Sequence, residues 1–320
     1  MDIIKQPHDR FFKEVFSNPE VMKDFITNYL PPEILALTDI DSLTLENNSF
    51  IDPELKENHS DLLFKTKINQ KESYLYLLFE HKSYLSSDTP LQLLKYMIKI
   101  WESKINKERS SKLPLIIPLV IYHGKEKWHI DKKFIKMIRG IEELPPEIIK
   151  YIPNYEYILN DLTTYEADQL KGNILLTETI KILKAIFQDR DIFLKMVEEI
   201  LTSLDEQGWS EDYRRYFTTF VIYIISARSD LELKDIHEAA KNISPERSAD
   251  IMTIAEKLYK EGMEKGIEKG LEKGRIEGIL EGKRKTAKNL LRQEISPEQV
   301  AQATELSLSE ILKLQREIEN

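Results

Sequence analysis

Two runs, SDLLFKTKI over 60–68 and SYLYLLFEHKS over 73–83, are separated only by the polar Asn69-Gln70-Lys71-Glu72, and they constrain the fold more than any other feature. β-rich runs joined by so short a polar link read as an antiparallel hairpin. From Leu75 to Phe79 the second run is apolar at every position, which places it inside a sheet and not at its edge. Upstream, Phe11, Phe12, Val15, Phe16, Val21, Met22, Phe25, Ile26 and Leu30 recur at helical spacing, so an amphipathic helix is expected from His8 until Pro31-Pro32 stops it. LTLENNSFIDPE follows as an irregular strand-like stretch. Downstream, a helix is expected from about Thr89 to Lys104 with Leu91, Leu94, Met97, Ile98 and Trp101 on one face, then a buried strand, LIIPLVIYHG, ending in a glycine turn. Helix, hairpin, helix and strand make an α/β layer sandwich closing near residue 160.

Residues 161–259 read as all-α, with patterns such as ILLTETIKILKAIF and MVEEILTSL. In 260–285, Gly262, Gly266, Gly270, Gly274, Gly278 and Gly282 recur every fourth residue. This segment is either a helix that pairs along its small-residue stripe or a flexible linker. Residues 286–320 look like two short helices, with Ser296-Pro297-Glu298 as a start and a turn near Glu305 to Ser307, a helix-turn-helix outline.

The chemistry is bounded by what is missing. With no cysteine in 320 residues, disulfides, thiolate zinc sites and thiol nucleophiles are excluded, and the six histidines form no HExxH pair. A metal, if used, is expected to be a hard ion on oxygen, Mg²⁺ or Mn²⁺. No run reaches the roughly 18–20 apolar residues of a membrane span, and the opening lacks a signal-peptide core, so a cytoplasmic protein without a membrane partner is expected. The net charge of −9 speaks against indiscriminate coating of nucleic acid but leaves room for local basic faces near Lys65–Lys71, Lys95–Lys112, Lys125–Lys136 and Lys283–Arg292.

With the hairpin turn centred between Gln70 and Lys71, Asp61 is expected directly opposite Glu80, with Lys82 on the same face. Two facing carboxylates repel, and a divalent cation held by both, together with the His81 backbone carbonyl, would relieve that cost. Lys82 could then orient the attacking water or stabilise charge on phosphorus. The bland alternative is a strand-capping aspartate and a solvated Glu80–Lys82 pair. His81 reads as structural, and His123, beside Gly124, as a turn residue.

Asp61 followed by Glu80-His81-Lys82 resembles the PD-(D/E)XK nuclease superfamily, and Gln92-Leu93-Leu94-Lys95-Tyr96 resembles the QxxxY motif of its RecB-like branch. Together with His8-Asp9-Arg10-Phe11-Phe12-Lys13, Ser60-Asp61-Leu62-Leu63, LLFEHKS, YMIKIWE and IPLVIYHG, the first 125 or so residues are similar to the Rpn family of recombination-promoting nucleases, also described as YhgA-like transposases. Ser60 stands where the superfamily's name has proline. The resemblance implies a restriction-endonuclease-like α/β core, a central mixed sheet flanked by helices, within 1–160. It implies metal-dependent DNA cleavage in a bacterial cytoplasm, linked to recombination or mobile DNA.

By the same resemblance Asp61, Glu80 and Lys82 are the catalytic set. Asp9 and Lys13 belong to a second tier, Asp9 because an N-terminal helix in this superfamily often brings a polar residue to the metal, with a helix cap and an exposed helix charge as the bland readings. Gln92 and Tyr96 join that tier as residues that contact DNA, brace the site or merely flank the core. In the tail, Lys283, Arg284, Lys285, Lys288 and Arg292 are candidates for DNA docking, and the glycine repeat with the last helices for homo-oligomer assembly. A second reading keeps the fold as a catalytically inactive DNA-binding or transposase-associated protein, and a third makes the helical half a protein-interaction scaffold.

Overall fold

The computed structural model describes residues 6–46, 60–81, 87–108, 112–208, 210–241, 243 and 245–319. Lys82 and the stretch 47–59 lie outside the described residues, as do the side chains of Glu80 and His81. One five-stranded sheet runs in the order β1 (Thr38–Leu45), β2 (Ser60–Ile68), β3 (Lys71–His81), β4 (Leu115–His123) and β5 (Ile158–Asp161). β1 and β3 each run antiparallel to β2 between them, whereas β4 runs parallel to β3 and β5 parallel to β4. The apolar run of β3 therefore sits centrally, as its lack of a polar face requires.

The hairpin is tighter than its four polar residues suggest. Ile68 pairs with Lys71, so Asn69 and Gln70 alone make the turn, with φ of 49° and 62°. Two left-handed residues follow the right-handed twist of the strands, the geometry of a two-residue type I′ turn. The hairpin centre moves one residue towards the N-terminus, and the partner of Asp61 becomes Leu78 instead of Glu80.

Each sheet face has its own helical cover. Leu62 and Phe64 of β2 and Leu75 and Leu77 of β3 pack with Phe11, Phe12, Val15 and Phe16 of α1 (Pro7–Phe16) and Met22, Phe25 and Ile26 of α2 (Pro19–Tyr29). The single helix expected here is broken because Asn18 caps α2 through the amide of Glu20 and Pro19 has no N–H to continue α1. On the other face, Leu63, Tyr74, Tyr76 and Leu78 meet Leu93, Tyr96, Met97 and Ile100 of α3 (Thr89–Glu108). The buried stripe of α3 is thus rotated from the expected one, leaving Leu91 and Ile98 exposed while Leu94 and Trp101 stay at its margin.

α4 (Ile174–Ala185), α5 (Arg190–Asp205) and α6 (Glu211–Ala227) are helical as expected, but they build no separate core. Leu176, Ile180 and Leu183, Val197 and Leu201, and Phe217 and Phe220 join the cluster that contains α1 and one sheet face. Rings interlock there, Phe11 stacking on Tyr223 at 4.2 Å and meeting Phe220 edge-on at 5.1 Å. With α7 (Leu233–Lys241), these elements lie in one compact unit, Met1–Ala255, and the division expected near residue 160 falls inside it.

The second unit, Glu256–Asn320, contains most of α8 (Pro245–Arg292), then α9 (Pro297–Thr304) and α10 (Leu308–Glu319). The glycine repeat is helix. A Cβ at Gly266, Gly270, Gly274, Gly278 or Gly282 would meet nothing within 4 Å, so no close neighbour among the described residues accounts for these glycines. Ala287, Val300, Leu306, Ile311 and Leu314 form the small core of this unit, and the α9–α10 turn passes through Glu305 in a left-handed conformation. Among the described residues, no helix is long and apolar enough to cross a membrane.

Candidate active site

Asp61 lies in β2 on the sheet face covered by α3, where its residue is only 3% exposed. Strand alternation puts it on the side of Leu63, and the register puts it opposite Leu78, between the positions of Tyr76 and Glu80 on β3. Glu80 itself pairs with Tyr122 and His81 with His123 across the parallel β3–β4 ladder. The two carboxylate positions are therefore diagonal across the hairpin, and the face-to-face arrangement expected from a centre at Gln70-Lys71 is not formed.

Two phenols, those of Tyr76 and Tyr96, lie beside Asp61. Tyr76 and Tyr96 are each 1% exposed and their rings stack at 5.1 Å with an angle of 29°. Burial raises the pKa of both, and the negative charge of Asp61 raises it further, so both remain neutral donors. Among the described residues, the Tyr76 hydroxyl and the Gln92 amide nitrogen are buried without a hydrogen-bond partner of normal geometry. Tyr96 is thus brought to the carboxylate from which the sequence separates it by some thirty positions, and Gln92, one helical turn before it on α3, is brought to Tyr96.

The tyrosine at 76 was hidden in a run read only as apolar. Its signal was parity, since positions 76, 78 and 80 alternate on one strand face.

Asp9 and Lys13 sit on α1, which covers the opposite sheet face, and line a surface cavity of ≈ 570 Å³ with Arg10, Glu14 and Arg215. His123 is no turn residue. It closes β4, is 1% exposed, and its ring contacts the Leu183 carbonyl, Phe187 at 4.8 Å and His8 at 5.5 Å. His8 in turn bonds the Tyr223 hydroxyl at 2.8 Å. These histidines tie α1, β4, α4 and α6 together.

In the tail, much of the expected basic patch is internally neutralised. Lys283 pairs with Glu305 at 2.5 Å, Arg284 with Glu310 at 2.7 Å and Lys288 with Glu317 at 2.8 Å. Lys285 and Arg292 are exposed.

An aspartate removed from water beside phenolic donors suits a hard cation, and the vacant hydrogen-bonding capacity of Tyr76 and Gln92 suits ordered oxygen ligands. Among the described residues no group of three or more histidine, aspartate or glutamate side chains converges, a set that does not include the Glu80 side chain.

No solved structure matches this chain significantly. Recombination-promoting nuclease RpnC of Escherichia coli (strain K12) is 28% identical over 309 residues, 96% of either chain. RpnA of the same strain is 27% identical over 257 residues, 80% of this chain and 84% of its own. A relative named as inactive, RpnE, is 26% identical over 257 residues, 80% and 82% of the two chains. Residues 6–213 match the family described as "Putative transposase, YhgA-like", and since that match covers well over half of the sequence, the chain belongs to this family.

Proposed function

We propose that this protein is a divalent-metal-dependent DNA endonuclease with a PD-(D/E)XK site. What carries the reading is the buried carboxylate of Asp61, diagonal to the Glu80 position across the hairpin and attended by Gln92 and Tyr96. Asp61, Glu80 and the His81 carbonyl would hold Mg²⁺ or Mn²⁺. Such an ion lowers the pKa of a coordinated water and stabilises charge building on the phosphate. Lys82 orients the attacking water and shares that charge, while Tyr96 and Gln92 brace Asp61. The relatives named as recombination-promoting nucleases support the substrate class and a link to recombination or mobile DNA.

The test is incubation of the purified chain with supercoiled plasmid in Mg²⁺, Mn²⁺, Ca²⁺ or chelator. Metal-dependent nicking or linearisation that is lost in Asp61→Asn and in Lys82→Ala is expected. Nicking that survives Lys82→Ala at the wild-type rate would remove this site from the chemistry. The relative named as inactive gives a second reading, a DNA-binding protein without cleavage, which predicts DNA binding and no cutting in any metal.

A second copy of the chain is the partner we assign to α8. Met263, Ile267 and Leu271 are 51%, 55% and 70% exposed, beside glycines whose Cβ positions are open. Glutamates at 264, 268 and 272 follow one flank of this stripe and lysine positions 265, 269 and 273 the other. In a parallel pair related by a two-fold axis each acidic flank meets a basic one, whereas an antiparallel pair sets like against like.

A further inference from the structure

We propose that Tyr76 is a positioning residue of the candidate metal site, its hydroxyl donating to the Asp61 carboxylate and fixing the orientation in which Asp61 holds a cation. The proposal rests on the reading of Asp61 as a metal ligand.

A phenylalanine would fill the space that Tyr76 occupies in the layer between β3 and α3, with Leu63, Leu78, Leu93 and Tyr96 around it. The hydroxyl is the part that packing does not require. It is removed from water, and burying such a group unbonded is unfavourable. Asp61 lies one same-face step along the ladder, since its partner is Leu78 and Tyr76 precedes Leu78 by two positions. The ring is held by its stack on Tyr96, so the hydroxyl cannot swing to solvent. A carboxylate only accepts hydrogen bonds and a neutral phenol can donate one, which gives the contact a single direction.

The chemistry then divides between the two carboxylate oxygens. Asp61 would offer one oxygen to a cation, and its other oxygen must be held if the carboxylate is to keep its angle. Outer partners of this kind set metal affinity by roughly 10–100-fold. Glu80 and Tyr76 flank the Asp61 partner on opposite sides along β3, so the strand that supplies the second ligand position also supplies the brace.

The experiment compares the full-length wild type, Tyr76→Phe and Asp61→Asn. Free Mn²⁺ is followed by its electron paramagnetic resonance signal during titration, and unfolding is recorded without metal. Tyr76→Phe is expected to remain folded without metal, at a somewhat lower unfolding temperature because a bond to a buried carboxylate is lost, and to bind Mn²⁺ about 10-fold more weakly. Its plasmid cleavage should recover as Mn²⁺ is raised, which a general loss of structure would not allow. Wild-type affinity in Tyr76→Phe, with binding lost in Asp61→Asn, would make Tyr76 a core residue only and leave the metal site standing. Unchanged affinity in Asp61→Asn would remove the metal site itself, and this inference with it.

Discussion

Asp61 is paired with Leu78 across the β2–β3 ladder, which sets it diagonally between the positions of Tyr76 and Glu80. Diagonal Cβ atoms are about 7–8 Å apart, against about 4.5–5.5 Å for opposed ones, so repulsion between the two acids is modest. Glu80→Gln is therefore expected to change metal-free stability by less than about 0.5 kcal/mol. It should still abolish the stabilisation by Mn²⁺, about 2.7 kcal/mol at a hundredfold excess over Kd in the wild type. Thermal unfolding with and without Mn²⁺ at constant ionic strength measures both. A large metal-free gain would mean that the carboxylates directly oppose each other.

The turn makes its own prediction. Gln70 holds φ at 62° without the freedom of glycine. Gln70→Gly should stabilise the chain by about 0.5–1 kcal/mol, the relieved left-handed strain exceeding the added entropy of the unfolded chain. Denaturant midpoints of the two proteins decide it, and a loss of stability would contradict a type I′ turn.

Alkaline pH should unfold this protein through its tyrosines. Burial raises the pKa of Tyr76, Tyr96 and Tyr223, and pushes Tyr165 up to about 12. The folded chain keeps these protons above pH 10, where the unfolded chain releases them, so the unfolded state binds fewer protons. Stability is then complete below about pH 10 and falls as pH rises towards each folded value, by at most about 1.4 kcal/mol per unit for a fully buried phenol. Denaturant midpoints at pH 9, 10 and 11 check the sign. Phenolate absorbance from the buried tyrosines should appear only with unfolding, and its appearance in the native protein would show that they are accessible.

For the tail, the ion pairs of Lys283, Arg284 and Lys288 leave little charge for phosphate. Lys288→Ala should leave the salt dependence of DNA binding unchanged. If the tail docks on DNA through its remaining cations, Lys285→Ala and Arg292→Ala should each reduce the slope of log K against log salt by about one. Equal slopes in all variants would take the tail away from DNA.

Leu271 tests the assembly assigned to α8. Leu271→Lys places a charge in the exposed stripe without touching either core, and sedimentation should show a shift to monomer with the unfolding temperature of the first unit unchanged. Unchanged sedimentation would leave the glycine repeat without this partner.

The central place of β3 was legible because a run apolar on both faces tolerates no edge. The register was not. NQKE admits two turn centres one residue apart, and only the left-handed backbone of Asn69 and Gln70 chooses between them. Gln92 and Tyr96 were legible as a helical pair, yet their approach to Asp61 depends on the rotation of α3, whose buried stripe runs through Leu93 and Ile100. β5 spans only Ile158–Asp161, too short for alternation to register. Periodicity marked α4–α6 as helices but carries no information about what a helix packs against, and so suggested a domain where the structure has a lid over α1 and α2.

That lid changes what can be inherited or cut. The strands bearing Asp61 and Glu80 share one hydrophobic core with helices encoded more than a hundred residues later, so Phe220, edge-on to Phe11, belongs to the same core as Phe12. A recombination breakpoint between residues 162 and 227 would deliver the whole Asp61 and Glu80 motif with the outer side of α1 and α2 bare, whereas a breakpoint after 255 would leave that side closed. The smallest heritable form of this site is therefore far longer than its motif, and loss of function by truncation is expected to act through folding long before it removes a ligand.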